Sequence, residues 1–316
     1  AAYSLSLPLV ARGFPGNPRS SVPVRPDQTP FESHLGVGGN TSCVEVRVDD
    51  QIVICDAGTG IIPLGNELMA QSKIRNLLVI LTHYHWDHIC GLPFFVPAFV
   101  PDWNIDFFGP GQCDDEIKEH VSAQMQAPYF PVGTETWLAN VNYLKPTKNQ
   151  EIAQGPISFE YHNVHHPGTT YGYRIKAMGK SILYISDNEC SYLGKSIDRK
   201  SDELTEEEKQ LYEEMKKEEH LAEIEMVKDA DILIHDAQYT PEDYEKKRGW
   251  GHSCYIDTVN IAIEAGVKEL YLYHHDPNYD DDAMEKIHQH SLSIIEEKNS
   301  SLKCFIAREG LIVDLS

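Results

Sequence analysis

The stretch LLVILTHYHWDH, Leu77–His88, decides how the rest of the chain is read. Its first half is a short apolar run, too short for a typical helix and of the composition expected in a strand buried on both faces. Its second half crowds three histidines and an aspartate into Thr82–His88. In an extended segment His83 and His85 point the same way, because side chains alternate with a period of two. Asp87 and His88 follow where the chain turns toward a helix. Neutral imidazole suits zinc and similar divalent ions, and a carboxylate offsets part of their charge. HxHxDH at the end of a buried strand therefore reads as half of each of two adjacent metal sites.

On either side of this stretch the pattern continues. Cys43–Val48 alternates apolar and polar residues, Asp49 and Asp50 turn, and Gln51–Asp56 returns, which is a hairpin signature. Ala57–Gly60 is a glycine loop. Further strands are expected at 105–109, 157–164, 171–177, 181–186, 231–236 and 269–274, with CFIAREG and LIVDL at the end. Helices are expected at 114–125, 253–266 and 283–298. Strands alternating with helices in both halves predict an α/β fold, sheets covered by helices. Residues 200–229 stand apart: Thr205 and Glu208 form a capping box, and a long Glu- and Lys-rich helix follows. Its apolar stripe is read as Leu211, Met215, Ala222 and Met226, facing the core.

Residues 1–35 read as a proline-rich arm, with six prolines between positions 8 and 30. The remainder, 36–316, reads as one domain with an acidic helical insertion at about 195–228. The formal charge of −22 makes a long nucleic acid an unfavourable partner, since phosphate backbones are held by Lys and Arg. It does not exclude a small anionic substrate, which responds to the local field of its site. Seven cysteines scattered singly fit reduced thiols in a cytoplasm better than a disulfide framework. No apolar run approaches a membrane span of about 20 residues. A homodimer is the default assembly. The chain starts at Ala1, which leaves a longer precursor open.

HxHxDH resembles the signature of the metallo-β-lactamase superfamily. GGNTSCVEV (38–46), ICDAGTG (54–60), THYHWDHICGLPFF (82–95), HPGTTYGYRI (166–175), ILYISD (182–187), DILIHDAQY (231–239), GWGHSCYID (249–257) and YLYHHDPNYD (271–280) resemble its phosphodiesterase branch. That branch includes ribonuclease Z, which processes tRNA 3′ ends, and bacterial 3′,5′-cyclic-nucleotide phosphodiesterases. The resemblance spans about residues 36 to 280. It implies an αββα sandwich of two facing mixed sheets flanked by helices.

It further implies two divalent ions, zinc with manganese or iron as alternatives, and a water activated between them. One ion would be held by His83, His85 and His166, the other by Asp87, His88 and His274, with Asp187 shared. His165 and His275 are the neighbouring alternatives. His252 in GHS matches a catalytic histidine of the ribonuclease Z branch, and Asp236 the acidic residue that holds it. Asn40, Thr41 and Ser42 are substrate-contact candidates, with a structural turn as the competing reading. Asp56 reads as a loop-fixing residue behind the ligands. The implied activity is hydrolysis of a small phosphodiester, a 3′,5′-cyclic nucleotide first. The alternatives are tRNA 3′ processing, for which ribonuclease Z uses a basic, glycine-rich arm, and a lactonase or thioesterase on the same metal core.

Overall fold

The computed structural model describes residues 3–6, 37–70, 74–147, 152–198 and 205–315. The first strands are β1 (Tyr3–Ser6), β2 (Val44–Val48) and β3 (Gln51–Cys55), followed by helix α1 (Ile61–Ala70) and strand β4 (Asn76–Ile80). The one-turn helix α2 (Trp86–Ile89), β5 (Asn104–Phe108), α3 (Asp114–Ala123), β6 (Asn140–Leu144) and β7 (Ile152–Gln154) come next. Then follow β8 (Ile157–Asn163), β9 (Tyr171–Ala177), β10 (Lys180–Ile185), α4 (Tyr192–Asp198) and α5 (Glu206–Val227). The chain closes with β11 (Ile232–Asp236), α6 (Pro241–Lys247), α7 (Tyr255–Glu264), β12 (Glu269–Tyr273), α8 (Asp281–Glu297), β13 (Lys303–Ile306) and β14 (Ile312–Asp314).

These elements form two mixed sheets with flanking helices, in two compact units: Ala1–Ser158 with Ala307–Ser316, and Phe159–Ile306. In the first unit the strand order is β14-β1-β2-β3-β4-β5-β6. The β2–β3 hairpin is antiparallel, in the register expected from its alternation, and β3, β4, β5 and β6 run parallel. The run LLVI is the interior of β4 between parallel neighbours, and Leu77 to Ile80 are all at most 2% exposed. Burying each such side chain stabilises by roughly 1.5–3 kcal/mol, so the carboxyl end of β4 is a rigid mount. The proline-rich stretch at 8–30 lies outside the described residues; ahead of it, Tyr3–Ser6 pairs antiparallel with both β2 and β14.

In the second unit β10, β11, β12 and β13 run parallel, with β9 antiparallel to β10. Helices α7 and α8 pack on β11, β12 and β13. Three parallel strands end in chemistry-bearing residues: Asp187 follows β10, Asp236 closes β11 and His274 follows β12. Loops beyond the carboxyl ends of parallel strands are where open α/β sheets bind ligands.

Helix α5 begins at the expected cap, with Thr205 and Glu208 bonding each other's backbone reciprocally. Its buried face differs from the expected stripe. Leu211 is 56% exposed, and the enclosed positions are Glu219, Glu223 and Val227. The carboxylates are drawn inward because α4 starts beneath them: Glu219 accepts from Leu193 and Gly194 N–H, and Glu223 from Ser191 N–H. Among the described residues no helix is long and apolar enough to cross a membrane.

Candidate metal centre

In the first unit the site is built outward from Asp56, which closes β3 in the left-handed region (φ 60°) and is fully buried. Its Oδ1 accepts from Thr82 N–H at 2.7 Å, its two oxygens receive Thr82 Oγ1 at 3.0 Å, and Oδ2 lies 2.8 Å from His88 Nδ1. A carboxylate only accepts, so His88 carries its proton on Nδ1 and presents Nε2 as a lone-pair donor. Thr82 gives its hydroxyl hydrogen to Asp56 and accepts from His83 Nδ1 at 3.0 Å, which sets the same tautomer on His83. His83 Nε2 and His85 Nδ1 then converge at 2.9 Å, while His88 Nε2 lies 3.4 Å from Asp87 Oδ2. Gly58 belongs to the same frame, since a Cβ there would sit 2.2 Å from the Asp87 carbonyl oxygen.

Asn40, Thr41 and Ser42 occupy the loop above this frame. Thr41 and Thr59 bond reciprocally, each backbone N–H to the other's hydroxyl at 2.8 Å. The Ser42 carbonyl accepts from Gly58 N–H at 2.9 Å, and Asn40 N–H donates to the Glu309 carboxylate. These bonds describe a structural clasp for the two glycine loops.

In the second unit the centre is Asp187, 2% exposed. Its Oδ2 is 3.7 Å from His166 Nε2, 3.6 Å from His274 Nε2 and 3.8 Å from His252 Nδ1. His166 Nδ1 donates to the Gly251 carbonyl at 2.8 Å, which turns Nε2 toward Asp187. Only glycine permits that approach: residue 251 has φ 89°, and a Cβ would lie 2.3 Å from His166 Nδ1. The neighbouring His165 turns away, its Nε2 3.7 Å from Glu219 and its side chain 40% exposed. The Gln238 side-chain amide nitrogen lies 3.0 Å from His274 Nδ1. His252 Nδ1 lies 2.7 Å from Asp236 Oδ2, and the two rings His252 and His274 stack at 4.9 Å. Asp236 is itself pinned by the backbone N–H groups of Asn188, Gln238 and Ser253.

Glu189 carries no signal in the sequence beyond lying two residues after Asp187, yet it organises the loop that holds His252. Its buried carboxylate accepts from Gly249 and Gly251 N–H at 2.9–3.0 Å and from Tyr244 Oη at 2.7 Å. Thr82 and Gln238 are likewise legible only in the fold. Three acceptors of this kind, Thr82 Oγ1, Asp56 Oδ2 and the Gly251 carbonyl behind His83, His88 and His166, are the arrangement that orients imidazoles for metal binding. The donor set therefore fits divalent ions. Within the second unit, ligand atoms of His166, Asp187 and His252, and of Asp236, His252 and His274, all lie within 4.8 Å of one another.

Comparison with known proteins is consistent with this chemistry. Residues 52–203 match the β-lactamase superfamily domain. Ribonuclease Z of Picrophilus torridus is 24% identical over 284 residues, covering 78% of this chain and 86% of that protein. Ribonuclease Z of Thermoplasma volcanium is 27% identical over 283 residues, covering 80% and 84%. The metallo-β-lactamase fold protein YhfI from Bacillus subtilis superposes with a TM-score of 0.62 at 18% identity, over 99% of this chain and 100% of that one. The chain thus carries a match to the β-lactamase superfamily domain over residues 52–203, is similar to ribonuclease Z over most of its length, and shares the fold of metallo-β-lactamase fold proteins.

Proposed function

We propose that the protein hydrolyses a phosphodiester at a dinuclear metal centre, with a 3′,5′-cyclic nucleotide as substrate. His83, His85 and His166 would hold one ion and Asp87, His88 and His274 the other, with Asp187 common to both. Ions bound there lower the pKa of a coordinated water and draw charge from the phosphoryl oxygens. The observation that carries the reading is the His252–Asp236 pair at 2.7 Å, beside Asp187. Phosphodiester cleavage expels an alkoxide, which needs a proton in the transition state. With Nδ1–H committed to Asp236, His252 has Nε2 as its proton-donating nitrogen. A lactonase or thioesterase on the same core has less need of that pair.

The acidic surface supports a compact substrate, since a net charge of −22 repels a polyanion while leaving a cationic centre able to draw in one phosphate. Seven cysteines placed singly along the sequence fit a reducing cytoplasm. The second reading, tRNA 3′ processing, is favoured by the name ribonuclease Z borne by both relatives. Protein loaded in turn with zinc, manganese and iron should convert cyclic AMP to a nucleoside monophosphate and leave precursor tRNA intact. Cleavage of precursor tRNA with cyclic AMP untouched transfers the assignment to the second reading. Inertness toward both, and toward bis(p-nitrophenyl) phosphate, removes it.

A further inference from the structure

Helix α5 alternates in chemistry along one face. Met215, Glu218, Glu219, Ala222, Glu223 and Met226 fall at i, i+3, i+4, i+7, i+8 and i+11, the spacing that aligns side chains on one side of a helix. The order along that side is thioether, two carboxylates, methyl, carboxylate, thioether. From Met215 to Met226 the helix rises about 16 Å.

In the fold this face is one wall of an open cleft of about 320 Å³, contained in the second unit. Val164, His165 and Leu193 also line it. That volume lies within the range of small-molecule sites, roughly 300–1,000 Å³. A surface helix ordinarily presses its apolar stripe onto the core. Here Met215 and Met226 stay half-buried and Ala222 exposed, all three facing the cleft. Methionine is flexible and polarizable, which suits a wall that must fit itself to a guest.

The polar lining fixes the sign of that guest. Neither Lys nor Arg is among the described residues of the cleft. Glu219 and Glu223 are held in place from beneath: Glu219 accepts from Leu193 N–H at 2.8 Å and Gly194 N–H at 3.1 Å, and Glu223 from Ser191 N–H at 2.8 Å. An ionised carboxylate offers about four acceptor sites, so these bonds do not saturate either group. Glu218 is exposed beside them. Such a lining disfavours an anion, and a compact cation would leave both methionines unused.

We propose that the α5 cleft binds a linear aliphatic polyamine, its methylene segments on Met215, Ala222 and Met226 and its ammonium groups on the glutamates between them. The alternation of the helix face matches the alternation of such a molecule. This site is separate in function from phosphodiester hydrolysis and does not depend on it.

The test is calorimetric titration of the metal-loaded protein with spermidine at about 0.15 M salt. The pH is set near 8, where Glu223 has lost the proton it holds up to about 7. Hexaamminecobalt(III) carries the charge of spermidine without methylenes, and 1,8-octanediol carries methylenes without charge. Spermidine should bind one to one and at least about ten-fold more tightly than hexaamminecobalt(III), and the diol should not bind measurably. Ala222→Trp, which fills the cleft, and Glu218→Lys, which reverses an exposed charge, should each weaken spermidine about ten-fold or more, with far-UV circular dichroism unchanged. Equal affinity for the two cations marks a diffuse response to an acidic surface and overturns the proposal. Wild-type affinity in Glu218→Lys overturns it too, whatever Ala222→Trp does to the helix. Binding is read without turnover, so inertness toward every phosphodiester leaves this result standing.

Discussion

Asp56 Oδ2 stands 2.8 Å from His88 Nδ1 with both side chains wholly shielded from solvent. The carboxylate dictates which nitrogen of His88 is available and, through Thr82, does the same for His83. Asp56→Asn can still occupy the space but presents an amide that competes as a donor. Metal affinity should fall about 10–100-fold, measured by competition with a chromophoric chelator, while far-UV circular dichroism stays unchanged.

Loss of His252 or of its partner separates phosphodiester from carbonyl chemistry. His252→Ala and Asp236→Asn should lower kcat on a phosphodiester about 10²–10⁴-fold, with metal content preserved. A leaving group that needs no proton, p-nitrophenolate, should recover most of the rate. Equal losses on both leaving groups would show that His252 does not supply the proton.

Removing a proposed ligand should silence the enzyme without unfolding it. His85→Ala and Asp187→Ala are expected to abolish turnover and retain cooperative urea unfolding, because the sheets draw their cores from apolar residues such as Leu77–Ile80 and Tyr184. Residual turnover at the wild-type rate in either variant refutes the ligand assignment.

Glu189→Gln leaves one acceptor oxygen where two oxygens now receive Gly249, Gly251 and Tyr244. The cost should be about 1–3 kcal/mol of unfolding free energy. Because the loop carries His252, the pH–rate profile should shift as well, which a purely structural loss would not produce.

Burial pushes the Glu223 carboxyl up to about 7, reinforced by neighbouring Glu219 and opposed by the Ser191 N–H. The unfolded chain releases that proton near the ordinary glutamate value, so between there and about 7 the folded state holds a proton the unfolded state has lost. Its favourable contribution is complete below the unfolded pKa and disappears as pH rises through about 7, amounting to roughly 3 kcal/mol. Glu223→Gln should flatten the decline in urea midpoint between pH 5 and pH 8, about the span of that titration. An identical decline in the variant would remove Glu223 as its source.

The amino-acid sequence by itself determined the elements with a strong local period and the chemistry written in one place. The β2–β3 hairpin, the buried run of β4, the capped start of α5 and the imidazole cluster at His83–His88 are visible because each depends on residues a few positions apart. Tertiary structure decided what depends on distant partners. The resemblance selects His166 over His165 without a physical reason, which the fold supplies: the Gly251 carbonyl, 85 positions away, turns His166 toward Asp187. The apolar stripe expected on α5 gave way to Glu219 and Glu223 because unpaired N–H groups at the start of α4 lie beneath that face, and a buried donor left without an acceptor costs more than an exposed leucine. Asp56, within ICDAGTG, is legible in the sequence as a loop-fixing residue, although its partners Thr82 and His88 are fixed only by the fold. Glu189 has no local period or motif, and its role arises only when folding brings strand ends together and removes water from the groups it serves.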